Sequence, residues 1–415
     1  MFRINNQEVT HEEVERLYGY YAGLEHFKAV EGQRIALCIE DPAFLVTLIL
    51  FLKSRGCSTL LIHGETPLKT AYVMAMKADC SALIYHDPKN YRSIGREQWK
   101  AESAPAVYQY SSGTTGDPKL ISRTWEEIEE EIEGYNQALA LPGEEEPIIL
   151  VPVSHSYGLI SGVLSSMARG TVPTIITHKN PKYTLKILQE HPHHIVYGVP
   201  ALFHVLSSFP QQELQFNHLM SSGAPMSEAL FAKLSQMTGT MKQQYGCSEA
   251  GCISLSNKMK SNVDIGVALG HFSVLSETKE GEPSELVVRT GTTDIHTKDL
   301  VYISSEQELT YVSRMDDVIN VSGLKVFPLE VEETIQKLSG IKEVVVYRGQ
   351  HPLIGEVVKA KVVAEEELTA DNIRDWCIQH LPPYKVPAEV ECVLEIPKNK
   401  NGKISRKLLE IGDVQ

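Results

Sequence analysis

From Arg34 onward the chain alternates short apolar runs with longer apolar or amphipathic ones. Residues 34–39 (RIALCI) predict a buried strand, residues 43–53 a packed helix, and residues 58–62 (STLLI) the next strand. The same rhythm returns around residues 148–153, 174–176 and 195–197. Strand–helix–strand repetition of this kind predicts a mostly parallel sheet flanked by helices. Glu126, Glu127, Glu129, Glu130, Glu131 and Glu133 interleave with Ile128 and Ile132 at helical spacing. That predicts a helix with a solvated acidic face, opened by a capping box from Thr124 and Glu127. The last hundred or so residues read differently: strands at 343–347 and 357–364, a helix at 369–379 and a short strand at 388–394. The expected fold is therefore α/β, in two parts. A large N-terminal domain (1–314) would hold the sheets, and a small α+β C-terminal domain (315–415) would follow a polar turn at Arg314–Asp317.

Charge narrows the partners. There are 39 basic against 53 acidic residues, a net charge of −14, which argues against nucleic acid and anionic membrane. The apolar run 43–52 has ten residues, too few to cross a bilayer, and the N-terminus has no apolar signal core. Seven scattered cysteines without a CxxC pair point to a reducing compartment, so a cytoplasmic protein is expected. His191, His193 and His194 surround Pro192 on an expected surface turn and have no metal-ligand spacing around them.

The strongest chemical signal is the stretch Tyr110-Ser-Ser-Gly-Thr-Thr-Gly-Asp-Pro-Lys119. Small hydroxyl residues and two glycines let backbone wrap closely around phosphate, with N–H and O–H donors and one lysine charge. It is not the ordinary GxxxxGK[ST] loop: Gly113 and Gly116 are too close, and no Ser or Thr follows Lys119. A strand at 108–110 is expected to lead in, and the capped helix to lead out.

With this stretch in place, the sequence resembles the adenylate-forming enzymes: acyl-CoA synthetases, aryl-acid ligases and related adenylation domains. Further motifs follow in the family's order: QQYGCSE (243–249), TKD (297–299), RMDDVINVSG (314–323), FPLE (327–330) and PKNKNGK (397–403). The resemblance implies an ATP-dependent ligase that joins a carboxylic acid to AMP, releases pyrophosphate, and passes the acyl group to a thiol. It implies a phosphate-binding role for Ser111, Ser112, Gly113, Thr114, Thr115, Gly116 and Lys119. An adenine-side loop falls at Gly223, Ala224 and Pro225, and nucleotide contacts at Gln244, Tyr245, Gly246 and Ser248. Glu249 becomes a Mg²⁺ ligand, a hard oxygen of the sort that ion shares with phosphate. Asp299 is suited to accept from ribose hydroxyls and Arg314 to donate at the domain boundary. Lys403 matches the catalytic lysine, which on a small mobile domain can bridge carboxylate and α-phosphate and then withdraw. Asp316 matches the hinge between domains, and Gly323 the place where a pantetheine arm passes close to backbone.

One departure is Lys298, where the family usually has glycine. Another is length: the phosphate loop arrives after about 110 residues, so the N-terminal subdomain, which in the family supports dimer contacts, is abbreviated. A trimmed domain argues against a long acyl tunnel. His155-Ser156-Tyr157 matches the wall of the acid pocket and resembles the His-Asn-Tyr of aryl-acid ligases of siderophore biosynthesis. With Ser156 in the place of an Asn that reads a 2-hydroxyl, a benzoate lacking that group is expected, such as 3,4-dihydroxybenzoate. The acceptor would be CoA or the phosphopantetheine of a carrier protein. The rival readings are a CoA ligase for a small aliphatic acid and, from another class, an inactive adenylate-binding sensor.

Overall fold

The computed structural model describes residues 1–95, 104–110, 119–141, 143, 145–209, 215–277, 281–351, 355–365, 367–398 and 404–412. The expected opening unit is present. Strand Arg34–Cys38 leads to helix Pro42–Ser54 and strand Ser58–Ile62, all five residues of which are buried. Asp41 caps the helix by accepting the Ala43 N–H at 2.7 Å, and Pro42 takes the first turn, where its missing donor costs nothing. The helix is apolar nearly all round because it is buried nearly all round. These strands join Ala82–Tyr85 and Ala106–Tyr110 in parallel to form the centre of a six-stranded sheet.

A second sheet of 13 strands runs through the rest of the large N-terminal part. On one side, Phe2–Ile4, Thr174–Ile175, Glu146–Ile149, His194–Gly198, Phe216–Ser221 and Thr238–Cys247 are neighbours in parallel. Beyond Thr238–Cys247 the pairing turns antiparallel, through Gly251–Ser256, Asp264–Ala268, Glu308–Arg314 and Thr293–Ile303 to the far edge. The strand expected at 148–153 instead runs Glu146–Ile149. A smaller sheet, Leu324–Val326, Ile319–Val321, Gly355–Ala364, Ile341–His351 and Glu389–Cys392, carries its own apolar core with helices Pro328–Gln336 and Ala370–His380. This is the α+β C-terminal part that the sequence predicts. Among the described residues, no helix is long and apolar enough to cross a membrane.

Three expectations need correction. The capping box of helix Trp125–Ala138 forms as read, but Glu131 is not on its solvated face. It is 1% exposed and ion-paired to Arg123. His194 is not on a surface turn; it is fully buried in a strand, where its Nε2 accepts the Asn217 N–H at 3.1 Å. The phosphate loop does not lead straight into a helix. Ala106–Tyr110 pairs antiparallel with Leu120–Thr124, so the loop joins two strands of a hairpin and the helix follows the second.

Candidate active site

Several candidate residues lie where the parallel strands end. Strands Glu146–Ile149, His194–Gly198, Phe216–Ser221 and Thr238–Cys247 release their chains at the same end of the sheet. Loops outside the carboxyl ends of such strands are where open α/β sheets bind ligands. They hold His155-Ser156-Tyr157, Gly223-Ala224-Pro225 and the turn with Ser248 and Glu249. Gly223 adopts φ +86°, a left-handed conformation that suits glycine.

Tyr157 ties its loop to the ends of two strands. Its hydroxyl donates to the Met220 carbonyl at 2.5 Å and accepts the Gly198 N–H at 3.1 Å. Burial holds the phenol far above its usual titration range, so it stays a neutral donor. Tyr157 opens a π-helical stretch, Tyr157–Leu164, a rare geometry common at functional sites. One turn along, Ser161 accepts a hydrogen bond from Gln244 Nε2 at 3.0 Å. Gln244 therefore turns toward this stretch, while its neighbour Tyr245 points to the other face of the strand. Ser156 donates to Gln109 Oε1, and Gln109 in turn donates to the Ser154 carbonyl at 2.8 Å.

On the Tyr245 side, the phenol donates to Asp299 Oδ2 at 2.6 Å. Asp299 and Arg314 are direct partners across antiparallel strands, with 3.6 Å between guanidinium and carboxylate. The other carboxylate oxygen, Asp299 Oδ1, is buried without a hydrogen-bond partner. Burial raises the Asp299 pKa, although the Tyr245 hydrogen bond and the Arg314 charge both oppose the rise. Asp299 is thus a desolvated acceptor whose Oδ1 faces the Arg314 charge but accepts no hydrogen bond. Its neighbour Lys298 has φ +60°, so the departure from glycine keeps the glycine-like backbone turn.

Glu249 lies opposite Lys119, 3.6 Å apart, with both side chains partly open to solvent. A half-open carboxylate beside one cation suits an ion that arrives with phosphate and keeps several waters, as Mg²⁺ does. Among the described residues there is no group of three or more acidic, His or Cys side chains able to hold a metal alone. Ser248 lines a small cavity with Ser156, Gln109 and Arg123, so the turn and the Ser156 wall face one space. Gly246 has backbone packed against it: any Cβ there would overlap the Gly251 carbonyl. Ser111, Ser112, Gly113, Thr114, Thr115, Gly116 and Lys403 lie outside the described residues.

Asp316 lies in the short turn Met315–Asp317 between the two parts, its carbonyl accepting from Arg348 at 2.8 Å. Next to it, Asp317 accepts from Arg406 at 2.9 Å, and Arg406 also donates to Glu332 at 2.7 Å. Gly323 is exposed at a hairpin tip with φ +89°, its N–H given to Asn320 Oδ1. Motif reading did not find Gln109, Ser161, Arg123 or Glu131. Gln109 and Arg123 flank the phosphate stretch in sequence, but only the fold places them beside Ser156 and Ser248.

These features define an adenylating enzyme: parallel-strand loops for a nucleotide, a buried acceptor pair at Asp299 and Arg314, and a second part beyond a short connection. Residues 49–293 match the AMP-binding enzyme family, and residues 330–403 match the AMP-binding enzyme C-terminal domain. The chain belongs to the AMP-binding, adenylate-forming family and is an ATP-dependent acid–thiol ligase. It is 50% identical over 414 residues to a 3,4-dihydroxybenzoate–[aryl-carrier protein] ligase from Bacillus anthracis, covering 100% of both chains. Solved structures of the same fold include ATP-bound MatB from Rhodopseudomonas palustris, with TM-score 0.84 and 18% identity, covering 99% of this chain and 95% of that one. They also include o-succinylbenzoate CoA synthetase from Bacillus subtilis with its acyl-adenylate, with TM-score 0.83 and 18% identity, covering 99% and 94%.

Proposed function

We propose that this ligase activates a hydroxybenzoate, best matched by 3,4-dihydroxybenzoate, and delivers it to the phosphopantetheine thiol of an aryl carrier protein. One observation carries the aryl reading. Next to Tyr157 and Ser161, Gln244 Oε1 is buried without a hydrogen-bond partner, while the Tyr135 and Tyr197 hydroxyls nearby meet each other. An apolar acyl chain would leave Gln244 Oε1 unsatisfied, at about 1–3 kcal/mol. A ring hydroxyl of an aryl acid would pair with it. The full-length relative from Bacillus anthracis, named for that acid and that type of acceptor, supports the same reading.

In the first half-reaction a carboxylate oxygen of the acid attacks the α-phosphorus of ATP, and pyrophosphate leaves. Asp299 Oδ1 accepts from the ribose, with Tyr245 fixing the other oxygen and Arg314 balancing the charge. Lys119 and the Ser111–Gly116 stretch hold phosphates, Gly223–Pro225 and Gly246 border the base, and Glu249 with Ser248 faces the phosphate tail. Glu249 would hold Mg²⁺ arriving with the nucleotide, and the ion would supply positive charge against two anions forced together. Lys403 bridges the reacting carboxylate and phosphate. Rotation at Asp316 then withdraws Lys403 and presents Gly323, past which the thiol reaches the acyl carbonyl, and AMP leaves. All seven cysteines are free thiols, five of them buried, which supports a cytoplasmic setting.

The acceptor is tested by supplying labelled 3,4-dihydroxybenzoate and ATP with either a phosphopantetheinylated aryl carrier domain or CoA. Label should accumulate on the carrier at least ten times faster. Equal or faster formation of the CoA thioester would reverse the acceptor assignment.

A further inference from the structure

The buried ion pair between Arg123 and Glu131 has no part in the chemistry above, yet it is built into the active-site frame. Arg123 belongs to strand Leu120–Thr124, which starts one residue after Lys119. Glu131 stands two turns into the following helix. Both side chains are buried, at 8% and 2% exposure. Two charges inside a protein are costly unless each is fully paired, so such a pair is weak evidence for stability and calls for another explanation.

Its contacts supply one. Glu131 Oε2 takes the Arg123 guanidinium, while Oε1 accepts the Cys252 N–H at 2.8 Å. The guanidinium also donates to the Glu127 carbonyl at 3.3 Å, fixing it to the helix. Gly251, with φ +75°, packs so closely that any Cβ would overlap both Arg123 and Glu131. Gly251 in turn lies against Gly246. The turn that carries Ser248 and Glu249 is therefore closed at its base by two glycines, and that base is fastened to the ion pair. Through Arg123 the same pair holds the strand that leaves the phosphate loop. Arg123 also lines the small cavity shared by Ser248 and Ser156.

We propose that Arg123 and Glu131 are positioning residues that set the Glu249 turn against Lys119, so that nucleotide phosphate and its divalent cation meet a preformed site. The proposal rests on reading Glu249 as the residue that faces the cation. Neither residue touches ATP. Their effect is on the affinity for Mg·ATP: although Arg123 borders the cavity beside Ser156, the acid-side groups Tyr157, Ser161 and Gln244 are held by hydrogen bonds of their own.

The test measures Mg·ATP binding to the full-length protein by calorimetry, without acid or turnover. Acid KM is measured separately by pyrophosphate exchange at saturating nucleotide. Replacing both charges by apolar groups of similar size, Arg123→Met with Glu131→Leu, avoids leaving one charge alone. This variant should bind Mg·ATP at least tenfold more weakly, gain less from Mg²⁺ over ATP alone, and keep its acid KM within twofold. Glu131→Asp keeps the charge but shortens the reach by one methylene, and should weaken Mg·ATP binding at least threefold. If the double variant does not fold, Glu131→Asp decides. Wild-type Mg·ATP affinity in a folded variant overturns the proposal, as does an equal loss in acid KM. A parallel Glu249→Ala arm separates the two readings. If it keeps the full Mg²⁺ dependence, the assignment of Glu249 fails. If it loses that dependence while the Arg123 and Glu131 variants keep it, only the positioning role fails.

Discussion

Replacing Asp299 by Asn separates what this carboxylate does for binding from what it does to stability. Asp299 is 6% exposed, with Oδ2 taken by Tyr245 and Oδ1 facing Arg314 at 3.6 Å but accepting no hydrogen bond. Asn keeps the size and one acceptor but loses the charge. Hydrogen bonds to a charged group are worth about 1.5–3 kcal/mol, against about 0.5–1.5 for neutral ones. A ribose contact weakened by about 1–1.5 kcal/mol costs roughly 5–13-fold in the KM for ATP. Stability should move the other way. Burial raises the folded-state pKa of Asp299. Between the ordinary carboxylate value and the raised one, the folded chain keeps a proton that the unfolded chain has released. Its contribution to stability therefore falls as pH rises through that window, and the ionised group opposes folding at pH 7. Asn removes this cost, so the variant should melt slightly higher than the parent at pH 7. Pyrophosphate exchange against ATP concentration and a thermal melt read the two effects. A KM within threefold of the parent, or a lower melting temperature, refutes the reasoning.

Tyr245→Phe removes the hydrogen bond that favours ionised Asp299, so the Asp299 pKa rises further and the acid limb of the exchange pH profile should shift to higher pH. An unmoved limb would separate Asp299 from nucleotide binding. Lys403→Ala should slow adenylation about 10²–10³-fold while nearly sparing thioester formation from supplied acyl-adenylate, since the lysine acts in one half-reaction only. Equal loss of both halves in single-turnover assays counts against the two-state scheme. Asp316→Pro fixes φ near −65°, so acyl-adenylate should accumulate while thioester formation stalls; normal overall turnover would show that rotation at Asp316 is not needed.

Much of this was legible where chemistry is local. The strands at 34–39 and 58–62 declare themselves because burial on both faces demands continuous apolar residues. The capping box at Thr124 is legible because its partners are three residues apart. Glu131 was misread because its helix neighbours are acidic and exposed, and only the strand turning back at Thr124 places Arg123 over it. His194 was misread because half-buried His191 and exposed His193 precede it, while the strand pairing that buries it comes from residues 146 and 217. The loop at 111–118 was expected to open a helix because phosphate loops commonly do; here a hairpin strand of five residues intervenes. The polar atoms around Gln244 carried no sequence signal, since Tyr135, Tyr197 and Ser161 are far apart in the chain.

Acid-dependent ATP–pyrophosphate exchange, run with 3,4-dihydroxybenzoate, benzoate, butyrate and hexanoate on the parent and on Gln244→Leu, tests the central claim most directly. A site that pairs with substrate hydroxyls rejects analogues lacking them, because its own buried groups are left unsatisfied. The parent should favour 3,4-dihydroxybenzoate over benzoate by at least about tenfold in kcat/KM, roughly 1.4 kcal/mol, and over both fatty acids by more. Gln244→Leu should lose most of that preference. Butyrate or hexanoate working as well as 3,4-dihydroxybenzoate, or a Gln244→Leu variant with undiminished preference, would contradict it.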